Sequence, residues 1–202
     1  MAIRSDERAA AILVAGGRSE RLGDDKALIP LGGKPLVQWV FDALKKVFDT
    51  VIIAASRKEH FSFLGVPVVP DRLANAGPIA GLHAGLLHLD APCAFASGCD
   101  TPFLQEEFLR FMRGEYRGEE ALVPVVQGRV QPLHGIYAKC AAPRMEAFAQ
   151  VGRHGGVCKF LEKISTRYLH DDAADFSRFA DSFLNVNTPQ ALREAEARAG
   201  RK

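Results

Sequence analysis

The sequence predicts an α/β domain with a mostly parallel central sheet, helices on both faces and a small antiparallel hairpin. Three observations predict it. An apolar run, Ala10 to Val14, breaks at a glycine turn and is followed by an amphipathic stretch and a second apolar run, a β-α-β unit within about fifty residues. Short apolar runs then keep alternating with helical patterns along the chain. One pair of runs, joined by Gln127-Gly128, reads as a hairpin.

The elements follow in order. Ala10 to Val14 has the apolar, β-branched content of a buried parallel strand. Ala15, Gly16 and Gly17 turn the chain, and adjacent glycines let backbone N–H groups approach an anion. Arg18, Arg21 and Lys26 place three cations in nine residues, which suits a polyphosphate. The loop is neither common glycine fingerprint. Asp24 follows Gly23 where a Walker loop needs Lys, and Gly16 and Gly17 are adjacent where GxGxxG needs a spacer.

A Gly32-Gly33 turn precedes Pro35 at a helix start, and Val37, Val40, Phe41, Leu44 and Phe48 recur on one helical face. Thr50 to Ala55 is the second strand. A short third strand, VPVVPD, ends at Asp71, and ligands bind beside the carboxyl ends of strands in open α/β sheets. Gly77-Pro78 opens an apolar helix through Leu87. Its Gly81 and Gly85, four apart on one face, read as close helix packing, or else Gly77 and Gly81 let a base or ribose lie against the backbone.

Cys93 to Ala96 is the next strand, bent at Gly98, and Asp100 emerges from it before Thr101-Pro102. An Asp in that context is often a turn or cap residue. At a strand's carboxyl edge beside a phosphate loop, a hard carboxylate also suits Mg²⁺. Gln105 to Met112 reads as a helix. ALVPVV and RVQPLHGIYAK read as the hairpin strands, which could reach out from the sheet to shape a second pocket. Ala141 to Gln150 and Gly156 to Lys163 read as helices and Thr166 to His170 as a strand. Asn185-Val186-Asn187 then leads to Thr188, a natural N-cap, and Pro189.

Composition narrows the function. With 202 residues, 48% of them hydrophobic, residues 1–202 can form a single domain with a proper core. A net charge of +2 gives no broad field for nucleic acid or an anionic membrane, so neither is expected as a partner. Cys93, Cys99, Cys140 and Cys158 contain no CxxC pair, which argues against zinc or a redox couple. All four read as reduced, and the apolar neighbours of Cys93 suggest a buried thiol. The amino terminus lacks a signal-peptide core and no apolar run approaches the ~20 residues of a membrane span, so a cytoplasmic location is expected.

Four blocks, VAGGRSERLGDDK, PDRLANAGPIAGLHAG, CDTPFL and FLNVNTP, occur in this order, and together they resemble the molybdenum cofactor guanylyltransferase family over nearly the whole chain. The resemblance implies a Rossmann-like fold of the nucleotide-diphospho-sugar transferase kind. It implies transfer of GMP from GTP to the terminal phosphate of molybdopterin, with Mg²⁺ as cofactor and pyrophosphate as by-product. GTP would lie on the amino-terminal half and the pterin on the carboxyl-terminal half. Val14, Ala15, Gly16 and Gly17 would contact the nucleotide, and Arg18, Arg21 and Lys26 would face its phosphates. Asp71 would bind on the nucleotide side with Gly77 and Gly81 nearby, Asp100 would hold the metal, and Asn185 and Asn187 would lie at the site. Lys26, Asp100 and Arg21 would carry catalysis. Cofactor-delivery proteins or molybdoenzyme chaperones are the protein partners such an activity suggests.

The related cytidylyltransferases of the same cofactor have Ala-Ala-Gly in the loop and Val-Pro after the aspartate. Ala15-Gly16-Gly17 and Thr101-Pro102 match the guanine version. The family's asparagines after the second strand are replaced here by Ala54-Ala55-Ser56-Arg57, and Leu22 stands where Met is commoner. Other readings are a cytidylyltransferase, a sugar-phosphate guanylyltransferase and a non-catalytic guanine-nucleotide sensor. For the pterin, His134, Arg153, His154 and Lys159 are candidates on chemistry alone, each reading first as a surface residue.

Overall fold

Strand β1 (Ala10–Val14) is buried along its whole length, as a strand covered on both faces must be. The computed structural model in which it lies describes residues 10–16, 26–73, 75–151, 156–170 and 174–200. After β1 come β2 (Pro30–Leu31), β3 (Lys34–Pro35), α1 (Leu36–Lys45), β4 (Thr50–Ala54), β5 (Val68–Val69), α2 (Pro78–His88), β6 (Cys93–Gly98), α3 (Glu106–Glu115), β7 (Ala121–Val126), β8 (Arg129–Val130), β9 (His134–Ala138), α4 (Ala142–Gln150), α5 (Gly156–Leu161), β10 (Thr166–His170) and α6 (Pro189–Ala199).

The main sheet has the order β10-β7-β9-β6-β1-β4-β5, with β8 paired to β7. The β1–β4, β1–β6, β4–β5 and β7–β10 pairs are parallel, whereas β9 is antiparallel to both β6 and β7. The expected fold class therefore holds, with one difference in where the antiparallel strand goes. RVQPLHGIYAK is two strands rather than one. The turn at Gln127-Gly128 has positive φ at both residues, 50° and 71°, the backbone of a tight hairpin turn. Arg129–Val130 pairs back onto the far end of β7, at Val125 and Val126. Pro132 cannot donate to a ladder, and the chain breaks there before β9 inserts between β6 and β7.

Side-chain alternation along β1 divides the core. Ala11 and Leu13 pack with Val37, Val40 and Leu44 of α1 and Phe108 of α3, while Ala10, Ile12 and Val14 pack with α2, α4 and α5. Gly85 of α2 lies over Ile12, where an added Cβ would come within 2.7 Å. The first two helices begin beside their prolines as expected, α1 with Pro35 as its N-cap and α2 with Pro78 as its first residue. Thr188 caps α6 through its hydroxyl, which accepts from Ala191 N–H at 3.1 Å.

Two 3-10 helices, Lys58–Leu64 and Phe176–Phe183, carry no expectation from the sequence reading. The second is explained by its aromatic spacing. Phe176, Phe179 and Phe183 all contact Phe108 edge-on. None of the four cysteines is in a disulfide, and Cys93 is half-buried rather than enclosed because it opens β6 at the end of the sheet. No helix among the described residues is long and apolar enough to cross a membrane.

Candidate nucleotide site

Because β1, β4, β5 and β6 run parallel, their carboxyl ends open on one edge. From β1 the chain moves outward to β4 and β5 and then returns to the other side of β1 as β6. The β1/β6 boundary is thus a switch point, where an open α/β sheet leaves a crevice for ligand. Gly16 follows β1 on one side of it and Asp100 follows β6 on the other.

On the β1 side, backbone pairing continues past the strands. Ala15 N–H donates to Ala54 O at 2.9 Å and Ala55 N–H to Val69 O at 3.0 Å. This brings Asp71, just beyond β5, against Gly16. A Cβ on Gly16 would stand 3.2 Å from Asp71 Oδ2, and one on Gly81 would stand 3.6 Å from Oδ1. The same Cβ on Gly81 would meet Val14 and Ala54 at 3.1 and 3.2 Å, so Gly81 lets α2 press onto the sheet. Asp71 Oδ1 is enclosed and has no hydrogen-bond partner among the described residues. Burial pushes its carboxyl above the usual carboxylate value. Gly77 is exposed at the start of α2, with φ of 57°.

On the β6 side the carboxylate is partnered. Lys26 Nζ lies 2.9 Å from Asp100 Oδ2 and also donates to Asn187 Oδ1. Val186 N–H donates to Asp100 O at 2.8 Å. These residues are far apart in sequence, and a small third core brings them together. Leu31, Leu36, Phe103, Val186 and Ala195 are all buried in it. Four of them adjoin functional segments, Leu31 and Leu36 the hairpin after Lys26, Phe103 the exit from Asp100, and Val186 the two asparagines, while Ala195 belongs to α6. Trp39 braces the hairpin, its indole N–H donating to Leu31 O at 2.9 Å.

The structure therefore brings Lys26, Asp100 and Asn187 to one point and Asp71, Gly16 and Gly81 to another on the same edge, with Val14 and Ala15 between them. Asn185 is exposed one residue before buried Val186 and is not among the groups that Lys26 touches. Gly17, Arg18 and Arg21, with Leu22, lie outside the described residues, as do Arg153 and His154. Lys159 is exposed and pairs with Glu162 at 3.1 Å. His134 is not a surface residue. It is 4% exposed, its Nε2 lies 2.9 Å from Ser182 O, and desolvation lowers its pKa to about 4. The residue the sequence reading did not single out is Val186. Its signal was an apolar side chain between two polar ones in an extended run, the pattern of a half-buried strand.

An open parallel sheet that gathers a carboxylate, an ammonium and a carboxamide at its switch point is of the nucleotide-handling α/β class. The sequence profile of the family described as MobA-like NTP transferase domain matches residues 11–169, and the chain belongs to that family. It is 33% identical over 198 residues to a Pelotomaculum thermopropionicum protein named "Probable molybdenum cofactor guanylyltransferase", covering 95% of this chain and 94% of that one. It is likewise 33% identical to the molybdenum cofactor guanylyltransferase of Vibrio vulnificus, over 90% of this chain and 91% of the relative. Among solved structures it superposes on molybdopterin-guanine dinucleotide biosynthesis protein A of Archaeoglobus fulgidus with a TM-score of 0.80 and 28% identity, covering 96% of this chain and all of that one.

Proposed function

We propose that this chain transfers GMP from GTP to the terminal phosphate of molybdopterin, forming molybdopterin guanine dinucleotide and releasing pyrophosphate. The observation that carries the reading is the meeting of Lys26, Asp100 and Asn187 at the switch point, in a chain of this family. A phosphate oxygen of the acceptor attacks the α-phosphorus, a new P–O bond forms, and the bond to the β,γ-diphosphate breaks. The nucleophile is already anionic at neutral pH, so no strong general base is needed. The obstacle is bringing two polyanions together, which requires positioned cations.

Lys26 supplies one such cation and neutralises the α- or β-phosphate, with Arg18 and Arg21 of the same loop as further partners. Asp100 Oδ2 and Asn187 Oδ1 are two oxygen donors that converge on a single cation, here the lysine ammonium. Hard oxygens in that arrangement fit Mg²⁺, which takes one or two protein oxygens and completes its shell with phosphate oxygens and water. Asp100 would hold the ion, with Asn187 as the second ligand, and the ion would supply charge neutralisation at the α-phosphate. Asp71, whose enclosed Oδ1 has no donor among the described residues, accepts from the N–H edge of the base or a ribose hydroxyl. Gly16 and Gly81 leave it room to do so. The carboxyl-terminal half, with the β7–β8 turn beside it, takes the pterin, and the whole chain acts as one domain in a cytoplasmic setting. Delivery proteins that accept the product are its natural protein partners.

The test is turnover by purified protein with GTP or CTP and with molybdopterin or a sugar phosphate as acceptor. Pyrophosphate release and dinucleotide formation with GTP and molybdopterin are expected. Product with CTP in place of GTP would make it a cytidylyltransferase, product only with a sugar phosphate would reassign the acceptor, and GTP binding without pyrophosphate release would make it a sensor.

A further inference from the structure

Asn187 reaches Lys26 from a run with no regular structure. Leu184 to Asn187 joins the 3-10 helix Phe176–Phe183 to α6; the helix's own hydrogen bonding reaches only Leu184, whose N–H donates to Asp181 O at 3.2 Å, and does not fix the residues after it. Two anchors do. The far one is Val186, buried in the third core and bonded to Asp100 O at 2.8 Å. The near one is Ser182, fully buried, whose two polar groups go to two different elements. Its hydroxyl oxygen accepts from Gln105 N–H, just ahead of α3, at 3.0 Å. Its carbonyl oxygen lies 2.9 Å from Nε2 of His134 in β9.

A carbonyl only accepts, so Nε2 carries the hydrogen. Burial keeps the imidazole neutral at pH 7, leaving it one N–H, and that one is spent on Ser182. The carbonyl belongs to the last turn of a helix, where no intrahelical partner exists. His134 thus closes the helix end from across the sheet. Its ring is set between Phe108 and Phe183, at centroid distances of 6.1 and 5.2 Å. In the β6–β9 register it stands opposite Ser97, so the strand that delivers Asp100 also neighbours the one that delivers His134.

We propose that His134 is a positioning residue for the transfer reaction: through the Ser182 carbonyl it sets the run that presents Asn187 to Lys26 and Asp100. The inference rests on the reading of those three residues as the site of GMP transfer. His134 itself touches no substrate.

Two variants test it. His134→Phe keeps a ring in the aromatic cluster and removes the donor, while His134→Gln keeps an amide N–H that can reach the carbonyl. Amide hydrogen exchange at Val186, measured on the substrate-free protein, reports the anchor directly. In His134→Phe it is expected to quicken on the order of tenfold while the rest of the sheet stays protected. kcat is expected to fall roughly tenfold to a hundredfold with KM for GTP little changed, as for a displaced catalytic group. His134→Gln should recover both. Unchanged Val186 exchange in folded His134→Phe, or lost protection with wild-type kcat, overturns the proposal. Should His134→Phe fail to fold, His134→Asn takes its place with the same expectations, since its amide is one bond too short to reach. If wild-type protein transfers no GMP at all, the functional reading fails, while Val186 exchange still decides whether His134 sets the run.

Discussion

Two aspartates follow strands on the same edge of one sheet, and their surroundings are opposite. Asp100 leaves β6 and is met by an ammonium and, beside it, a carboxamide, with its backbone oxygen taken by Val186. Asp71 leaves β5 and is met by glycines, with one oxygen enclosed and unpartnered among the described residues. A carboxylate held by a cation is ready to share that role with a metal and phosphates. A buried carboxylate without a donor costs the protein stability, and a ligand with N–H or O–H groups would relieve that cost. One side of the site is built to organise charge, and the other holds a carboxylate oxygen with no hydrogen-bond donor among the described residues.

The sharpest way to break this contrast is on the charged side. Asp100→Ala should lower turnover on the order of 10²–10³-fold with the fold retained, and Lys26→Ala should do the same. Steady-state kinetics at saturating Mg²⁺ beside a thermal melt would check both. Wild-type turnover in Asp100→Ala, or a change confined to the guanine/cytosine preference in Lys26→Ala, would remove the phosphate role.

On the other side, Asp71→Asn should weaken GTP binding roughly tenfold while raising the melting temperature at pH 7. Calorimetric binding and a melt are the two measurements, and a variant that is both tighter and less stable would contradict the unpartnered acceptor.

Acid sharpens the contrast further, because the two sides titrate with opposite sign. Asp71 has a raised native pKa, so the native state holds its proton more firmly than the unfolded chain and stability increases as pH falls into the carboxylate range. His134, which braces the Asp100 side, has its pKa lowered to about 4 from 6.5. Between those values the unfolded chain takes up a proton that the native state refuses. Stability should therefore drop as pH falls through that window, by about 3 kcal/mol in total, and be whole again above it. Urea titrations across the window, repeated with His134→Phe, would show the drop in the wild type and its absence in the variant.

The smallest effect lies at the end of the braced run. Thr188→Ala removes the α6 cap and should cost about 1 kcal/mol in urea unfolding with a minor change in kcat. A large kcat loss would mean that α6, rather than Ser182 and Val186, sets Asn187.

Much of this was legible in the chain itself. β1 and β4 were visible to within a residue because a buried parallel strand is a continuous apolar run, and α1, α2 and α6 were visible through their apolar patterns and their prolines. The 3-10 helix Phe176–Phe183 was not, since three phenylalanines in a polar stretch mark a helix only once Phe108 is known to await them. His134 was misplaced outward because an imidazole is polar by composition, and only its neighbours show that it is enclosed.

The sequence by itself determined the class of sheet, a glycine turn after β1 and a carboxylate after β5, and the residue types able to hold a triphosphate. Local pattern suffices for these, because each depends on a few consecutive residues and the backbone preferences they share. Only the tertiary structure decided that Lys26, Asp100 and Asn187 meet, that Asp71 Oδ1 is enclosed with no donor among the described residues, and that β9 runs inside the sheet rather than out of it. Those outcomes depend on which distant segments bury apolar surface together. Leu31, Phe103 and Val186 carry no mark in the sequence that they will share one small core, and it is that core which assembles the site.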